Sequence, residues 1–252
     1  MIHTSFAFLK RTILSARTLL VILAVPLIVL LERLADIAEV LEEGSYSGFC
    51  MFVVQLGLES RGMLLLFPLL CALPGASALI EDCRCGITRM LLVRTTRGKY
   101  IAARCISCGL SGGIALTAGV VLSCLLSLMI LGSMEPAAGM RELPDYMKHI
   151  ARLAGMYFLS GIFWSLFGML MSIITGSRYV AALSPFSAYY LMSMLRQRYF
   201  RQTGLLDPRA WIVPEKYNIW DRTAMVAGLV LCLIFVMFFV VYHAAGRSLK
   251  DV

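Results

Sequence analysis

The chain alternates between six long, largely apolar segments and shorter polar segments that carry most of the charged residues. Apolar runs of roughly 18 or more residues are typical of helices that cross a membrane. Such a segment must satisfy its own backbone hydrogen bonds in lipid, which an α-helix does. We therefore predict an all-α, polytopic membrane protein with one transmembrane domain over residues 1–252 and spans near residues 12–31, 62–80, 101–131, 153–175, 179–195 and 223–245.

Proline and glycine residues mark the places where these spans are expected to depart from regular helices. Pro185 interrupts the short fifth segment, which leaves a broken or re-entrant helix open there. Pro74 and Gly75 form a candidate hinge in the second segment. In the third segment the pattern Gly109-x-x-x-Gly113 predicts close helix contact, either within the chain or between two copies.

The composition supports a membrane protein and excludes a soluble domain. Hydrophobic residues make up 60% of the 252 residues, charged residues make up 15%, and the mean hydropathy is +0.81. Ordinary soluble domains are only about half apolar. A net charge of +8 would favour nucleic acid as the partner of a soluble chain. Here the charges flank membrane segments, and we expect no nucleic-acid partner.

The eight cysteines lie mostly inside apolar segments or beside a basic segment. This distribution predicts free thiols rather than the disulfide framework of a secreted protein. The pairs Cys83-x-Cys85 and Cys105-x-x-Cys108 have the spacing of zinc ligands. Structural zinc needs four converging ligands, and the second pair begins a span, so we expect no metal site.

The most basic segment, residues 81–104, lies between the second and third spans and carries six Lys or Arg residues. Lys and Arg are retained on the cytoplasmic side of a membrane, and the short loops decide the orientation. In the loop on the other side of the first three spans, the only basic residues are Arg33 and Arg61. We therefore predict that the basic segment and both chain ends are cytoplasmic.

The segment before the last span is also basic, and this orientation places it outside. Its aromatic residues, including Tyr199, Trp211 and Trp220, suit the headgroup layer of a membrane. We expect them to make interfacial or extracellular loop contacts. A binding site for anionic lipid or peptide is the alternative.

Within the basic segment, Ile87, Met90 and Leu91 follow the i, i+3, i+4 spacing of an amphipathic helix, with arginines distributed around it. Two interpretations are open. The helix lies on the inner leaflet, where its cations are attracted by anionic lipid, or it binds a cytosolic partner and transmits that partner's motion.

The order of residues in this segment is informative. Glu81 closes the second span, Gly-Ile-Thr-Arg-Met-Leu-Leu follows at 86–92, and Thr-Arg-Gly-Lys-Tyr-Ile-Ala-Ala-Arg follows at 96–104. This order resembles the ABC-2 family of ABC-transporter permeases, where an acidic residue precedes stretches similar to G-T-I-R-x-L-L and S-R-x-x-Y-x-x-x-K. The length, the six predicted spans and the aromatic segment are also similar to that family. The amphipathic helix before the first span is shorter here, at about residues 1–12.

The resemblance implies that the basic segment is a coupling helix that docks on a separate ATP-binding subunit. It also implies a second permease copy, or a related permease, beside this chain in the lipid membrane. ATP and Mg²⁺ are then expected on the partner, because the chain has no G-x-x-x-x-G-K-[ST] phosphate loop. We expect no bound cofactor and no enzyme activity of its own. The implied coupling residues are Glu81, Gly86, Arg89, Leu91, Arg97, Lys99, Tyr100 and Arg104.

The expected function is therefore that of a permease subunit of an ATP-driven exporter in a prokaryotic plasma membrane. An amphiphilic peptide such as a bacteriocin, a lipid or a drug is the expected cargo. The alternative is a non-transporting membrane anchor or assembly factor whose basic loop recruits a partner or anionic lipid. A secondary carrier is disfavoured, because the spans lack the buried Asp, Glu or His typical of ion-coupled transport.

Overall fold

The computed structural model describes residues 2–43, 49–93, 95–131, 143–199, 207–212 and 223–248. Within these ranges the regular secondary structure is α-helical, which confirms the predicted all-α class. The helices are α1 (Ile2–Ile13), α2 (Ala16–Glu32), α3 (Leu34–Glu43), α4 (Phe49–Leu58), α5 (Arg61–Ala72), α6 (Ala78–Arg84), α7 (Ile87–Leu92), α8 (Arg97–Leu131), α9 (Leu143–Thr175), α10 (Arg178–Arg198) and α11 (Thr223–Ser248).

Three of these helices, α8, α9 and α11, are long and apolar enough to cross a membrane on their own. The helices α4 and α5 reach the same standard together, but a bend of 69° separates them, so the pair is a broken span or a re-entrant loop. These helices indicate a membrane-embedded protein, as the composition predicts.

The first and fifth predicted spans correspond to α2 and α10, which do not meet that standard by themselves. Helix α2 has 17 residues, which gives a length of about 26 Å against a hydrocarbon core of about 30 Å. Helix α10 is long enough, but it has arginines at both ends and several serines between them. Pro185 does not break this helix, which runs without interruption from Arg178 to Arg198.

The second predicted span is divided between two helices. Helix α5 ends at Ala72 and α6 begins at Ala78, so the candidate hinge Pro74-Gly75 lies in the turn between them. A Cβ atom at Gly75 would lie 2.6 Å from the Ser111 Oγ of α8 and 3.1 Å from the Cα of Cys108. The turn is therefore packed directly on α8, and glycine permits the close approach.

Helices α8 and α9 form the centre of the bundle through the glycine face of α8. A Cβ atom at Gly112 would lie 2.6 Å from the Cys71 carbonyl oxygen and 2.8 Å from the Cβ of Ser165. At Gly113 it would lie 2.9 Å from the Phe158 carbonyl oxygen. At Gly109 it would lie 3.0 Å from the Cγ2 of Ile162 in α9. Gly109 and Gly113 of the predicted pattern therefore both pack on α9 within the chain, where small residues allow neighbouring helices to approach.

The two ends of the bundle carry different polar groups. We call the basic segment, residues 81–104, the insert. The insert end of the bundle is the end that holds α1, α6, α7 and the first turn of α8. The last turns of α11 also reach it, because Tyr242 lies against Gly98. At the opposite end, His149 lies 3.2 Å from the Glu59 carboxylate. Residues 207–212 lie at that end too, beside the last turn of α10.

Candidate functional site

The candidate site is the segment that links α5 to α8 at the insert end. Gly86 joins α6 to α7 with a φ of 72°, a left-handed conformation that glycine adopts without steric cost. This turn allows two short helices, α6 and α7, to follow each other directly. Residue 94 lies outside the described part of the link between α7 and α8.

A buried polar network connects this segment to α8. Asp82 of α6 is 3% exposed and Arg104 of α8 is 4% exposed, and their side chains form an ion pair. The Tyr100 hydroxyl donates a hydrogen bond of 3.1 Å to Asp82 Oδ2. That hydroxyl also lies 3.3 Å from the Thr88 Oγ1 of α7. The network therefore joins α6, α7 and α8 through groups that are shielded from water.

Helix α1 covers this network on one side. The Arg104 guanidinium lies 4.2 Å from the centre of the Phe8 ring, which places a cation over an aromatic face. The Phe8 and Tyr100 rings make an edge-to-face contact with centroids 5.9 Å apart. Although α1 is short, it lies directly on the start of α8.

A second, half-exposed ion pair joins the segment to α2. Arg17 Nη1 donates to Glu81 Oε1 at 2.8 Å and to the Ser77 Oγ at 3.0 Å. The Ser77 hydroxyl also donates to the same carboxylate oxygen at 2.9 Å. Glu81 therefore lies between α2 and the turn that precedes α6, whereas the adjacent Asp82 faces α8.

The exposed side of α7 combines apolar and basic side chains. Met90 is 75% exposed and Val93 is 87% exposed, and the side chains of Arg89, Arg97 and Lys99 are exposed around them. The predicted apolar stripe is thus divided. Leu91 packs on a buried apolar cluster to which α6, α8, α9 and α11 contribute. Met90 is exposed instead, on the side of this short helix away from the buried Thr88.

The turn between α9 and α10 lies beside the insert. Arg84 Nη2 donates a hydrogen bond of 2.7 Å to the carbonyl oxygen of Gly176, which has a φ of 66°. Arg178 follows and donates to the Tyr179 hydroxyl at 3.0 Å. This hydrogen bond raises the pKa of Arg178 above its ordinary value. Arg84, Arg178 and the exposed basic residues of the insert therefore form a cationic surface at this end.

Six of the eight implied coupling residues, all except Gly86 and Leu91, divide into two groups. Tyr100 and Arg104 belong to the buried network, and Glu81 lies at its edge. Arg89, Arg97 and Lys99 are on the exposed surface. Asp82, which accepts the Tyr100 hydrogen bond and pairs with Arg104 at the centre of the network, was not predicted from the sequence. The sequence signal for this network was the i, i+4 spacing of Tyr100 and Arg104, which places both side chains on one face of α8.

The aromatic residues of the predicted loop occupy different positions. Tyr199 is 72% exposed, and Trp220 lies outside the described residues. Trp211 is only 4% exposed and stacks on Trp164 with centroids 6.3 Å apart. An aromatic cluster in α9 therefore receives the Trp211 ring within the protein.

The four cysteines considered as zinc ligands lie in different environments. Cys105 and Cys108 are buried inside α8, and Cys85 is exposed at the end of α6. Cys83 is half-buried and accepts a hydrogen bond from the Thr88 hydroxyl at 3.4 Å. Among the described residues, no group of three or more His, Cys, Asp or Glu side chains is arranged to hold a metal ion.

Comparison with known protein families, curated proteins and solved structures finds no match to this chain.

Proposed function

We propose that this chain is the transmembrane permease subunit of an ATP-driven exporter of the ABC-2 type, acting with separate ATP-binding subunits. The observation that carries the proposal is the short helix α7, which exposes apolar and basic side chains and is tied to a long apolar helix by a buried polar network. The resemblance of residues 81–104 to ABC-2 permeases supports the same function.

The buried network supports a coupling role because it links the exposed helix mechanically to α8. Thr88 of α7 contacts Tyr100, and Tyr100 shares Asp82 with Arg104. Buried, hydrogen-bonded networks are rigid, since an unpaired member would carry a large desolvation cost. A force applied to α7 would therefore displace the first turns of α8, which continues for 35 residues into the bundle.

The exposed face of α7 supports docking to a protein. Met90 and Val93 offer apolar contact, and Arg89, Arg97 and Lys99 provide a positive rim. A partner groove with apolar walls and acidic edges would match this surface, because complementary charges orient the encounter and exclude incorrect partners. In the proposed complex the ATP-binding subunits supply the energy, and their closure on ATP and Mg²⁺ moves α7.

The proposed topology has six spans, with α1, the insert and the end of α11 in the cytoplasm. The excess of basic residues in the insert supports this orientation. Helices α2 and α10 cross as part of the packed bundle, and a second permease copy or a related permease completes the path. The proposed cargo is an amphiphilic peptide, a lipid or a drug, exported across a prokaryotic plasma membrane.

The test is co-purification from the native membrane after gentle detergent extraction. We expect the wild-type chain to co-purify with an ATP-binding-cassette subunit. The double variant R89E/R97E is expected to capture at least about tenfold less of that subunit, because charge reversal at an interface costs several kcal/mol. The matched control R61E/R198E changes two exposed arginines at the opposite end and is expected to capture the subunit normally.

All variants are compared at equal amounts of protein in the membrane. If R89E/R97E captures the ATP-binding subunit normally, α7 is not the docking site. If the wild-type chain captures no ATP-binding subunit, the permease proposal fails and the membrane-anchor alternative takes its place.

A further inference from the structure

A polar cleft of about 330 Å³ opens at the insert end between α1, α2 and α6. Three guanidinium groups and two carboxylates contribute to its wall, from Arg11, Arg17, Arg104, Glu81 and Asp82. Its volume is at the lower end of the range for small-ligand sites, which is about 300–1,000 Å³. The cleft therefore has room for a small polar group rather than for a whole lipid or peptide.

The two carboxylates in the cleft are already paired. Asp82 forms the buried ion pair with Arg104, and Glu81 accepts a hydrogen bond from Arg17 at 2.8 Å. Their negative charges are thereby balanced within the protein. The third guanidinium, of Arg11, leaves the wall of the cleft with one positive charge in excess.

Arg11 is the cation available to an incoming group. Its side chain is 65% exposed, and its Nη1 lies 3.9 Å from Asp82 Oδ1, which is longer than a hydrogen bond. Arg17 uses Nη1 for both of its hydrogen bonds to Glu81 and Ser77. A guanidinium carries five N–H donors in a planar fork that matches the oxygens of a phosphate.

Arg104, which also lines the cleft, adds a second cation that has an unused donor close by. Arg104 is 4% exposed, and its Nε–H has no hydrogen-bond partner among the described residues. A buried donor left without a partner costs free energy, and such groups in folded proteins are normally satisfied by protein or by a bound molecule. An anion in the cleft would lie next to this guanidinium.

The N-terminus of α2 also contributes to the cleft. Ala16, the first residue of this 17-residue helix, lines it, and the preceding Ser15 caps Thr18 rather than Ala16 or Arg17. The first backbone N–H groups of a helix favour an anion, because they have no acceptor within the helix. The helix terminus and Arg11 therefore act on the same space.

We propose that this cleft binds one phosphate group. The excess of one positive charge matches a phosphodiester, and the site does not depend on the permease function proposed above. A phosphate of this kind comes either from a lipid headgroup or from a soluble phosphate. The surroundings favour lipid, since an exposed row of leucines on α2 (Leu19, Leu20, Leu23 and Leu27) leads away from the cleft along the bundle.

The test uses the purified full-length protein in a mild detergent, with thermal unfolding as the measure of binding. Three probes are titrated at fixed ionic strength, namely dihexanoyl phosphatidylglycerol, dihexanoylglycerol without phosphate, and inorganic phosphate. We expect phosphatidylglycerol to raise Tm in a saturable manner, because a ligand that binds only the folded state stabilises it. Dihexanoylglycerol is expected to leave Tm unchanged.

The decisive comparison is between Arg11→Gln and Lys10→Gln. The two residues are adjacent in α1 and exposed, and each substitution removes one positive charge, but only Arg11 lines the cleft. We expect Arg11→Gln to weaken phosphatidylglycerol binding about tenfold, which is the effect of one charge-assisted hydrogen bond. Lys10→Gln is expected to bind as the wild type does. Arg17→Gln is a second cleft variant, for use if Arg11→Gln unfolds at a lower Tm without any ligand.

Each outcome decides a part of the proposal. An equal Tm shift with inorganic phosphate identifies a soluble phosphate as the source, and a shift with phosphatidylglycerol alone identifies the lipid headgroup. If neither probe shifts Tm, or if Lys10→Gln weakens binding as much as Arg11→Gln, the cleft is not a phosphate site. Capture of an ATP-binding subunit is measured separately, so failure of one proposal is distinguishable from failure of the other.

Discussion

Asp82 is predicted to be the residue whose charge most affects the stability of the insert end. Its carboxylate is 3% exposed and contacts both Arg104 and the Tyr100 hydroxyl. In Asp82→Asn the Arg104 cation stays buried without a countercharge. Breaking a buried ion pair in this way costs about 3–5 kcal/mol.

The neighbouring Glu81 provides the matched control. It also forms an ion pair, but its side chain is 34% exposed and that of Arg17 is 49% exposed. Water screens such a pair, so exposed ion pairs contribute only about 0–1 kcal/mol. Glu81→Gln is therefore expected to lower the free energy of unfolding by no more than about 1 kcal/mol, although both variants remove one negative charge.

The assay is denaturation of the detergent-solubilised protein by increasing mole fractions of sodium dodecyl sulfate, followed by tryptophan fluorescence. The double variant Asp82→Leu/Arg104→Met is included because replacing both partners of a buried pair by apolar residues is often close to neutral. It is expected to recover most of the stability that Asp82→Asn loses. Equal losses for Asp82→Asn and Glu81→Gln, or no recovery in the double variant, would refute the buried network.

Two further predictions concern packing. Gly112→Ala is expected to destabilise the fold by about 1–3 kcal/mol through overpacking, since the new Cβ would lie 2.6 Å from the carbonyl oxygen of Cys71 in α5. Gly155→Ala, with nothing within 4 Å, is expected to be neutral or to stabilise by up to about 1 kcal/mol. Equal effects in the same denaturation assay would contradict the α8–α5 contact. Trp211→Ala is expected to cost about 3–5 kcal/mol of stability, because the ring is only 4% exposed. Tyr199→Ala, at a residue that is 72% exposed, is expected to change stability by less than about 0.5 kcal/mol. Similar values for the two variants would show that residue 211 lies outside the bundle.

The secondary structure and the membrane class could be predicted from the sequence because both depend on local properties. Hydropathy averaged over about 20 residues predicts an apolar helix wherever it packs. The short helix α7 was predicted from the spacing of Ile87, Met90 and Leu91, which is also a local signal. The resemblance to ABC-2 permeases depended on the order of residues in one continuous segment.

The helix boundaries within the second predicted span could not be predicted from the sequence. A run of apolar residues from 62 to 80 has the composition of one helix, yet the chain turns after Ala72. The turn is accommodated because Gly75 packs against Ser111 and Cys108 of α8. A contact between positions more than thirty residues apart is not visible in the composition of either segment.

The sequence by itself determined that the protein is helical, that it is suited to a membrane, and that its basic insert lies between two apolar helices. Only the tertiary structure decided which charged residues are buried. Asp82 and Glu81 are adjacent acids in the same short helix, and the difference between them arises because Arg104, Tyr100 and Phe8 approach from α8 and α1 on one side only. Burial of a charge depends on partners from distant parts of the chain, since a charge without such partners is too costly to bury.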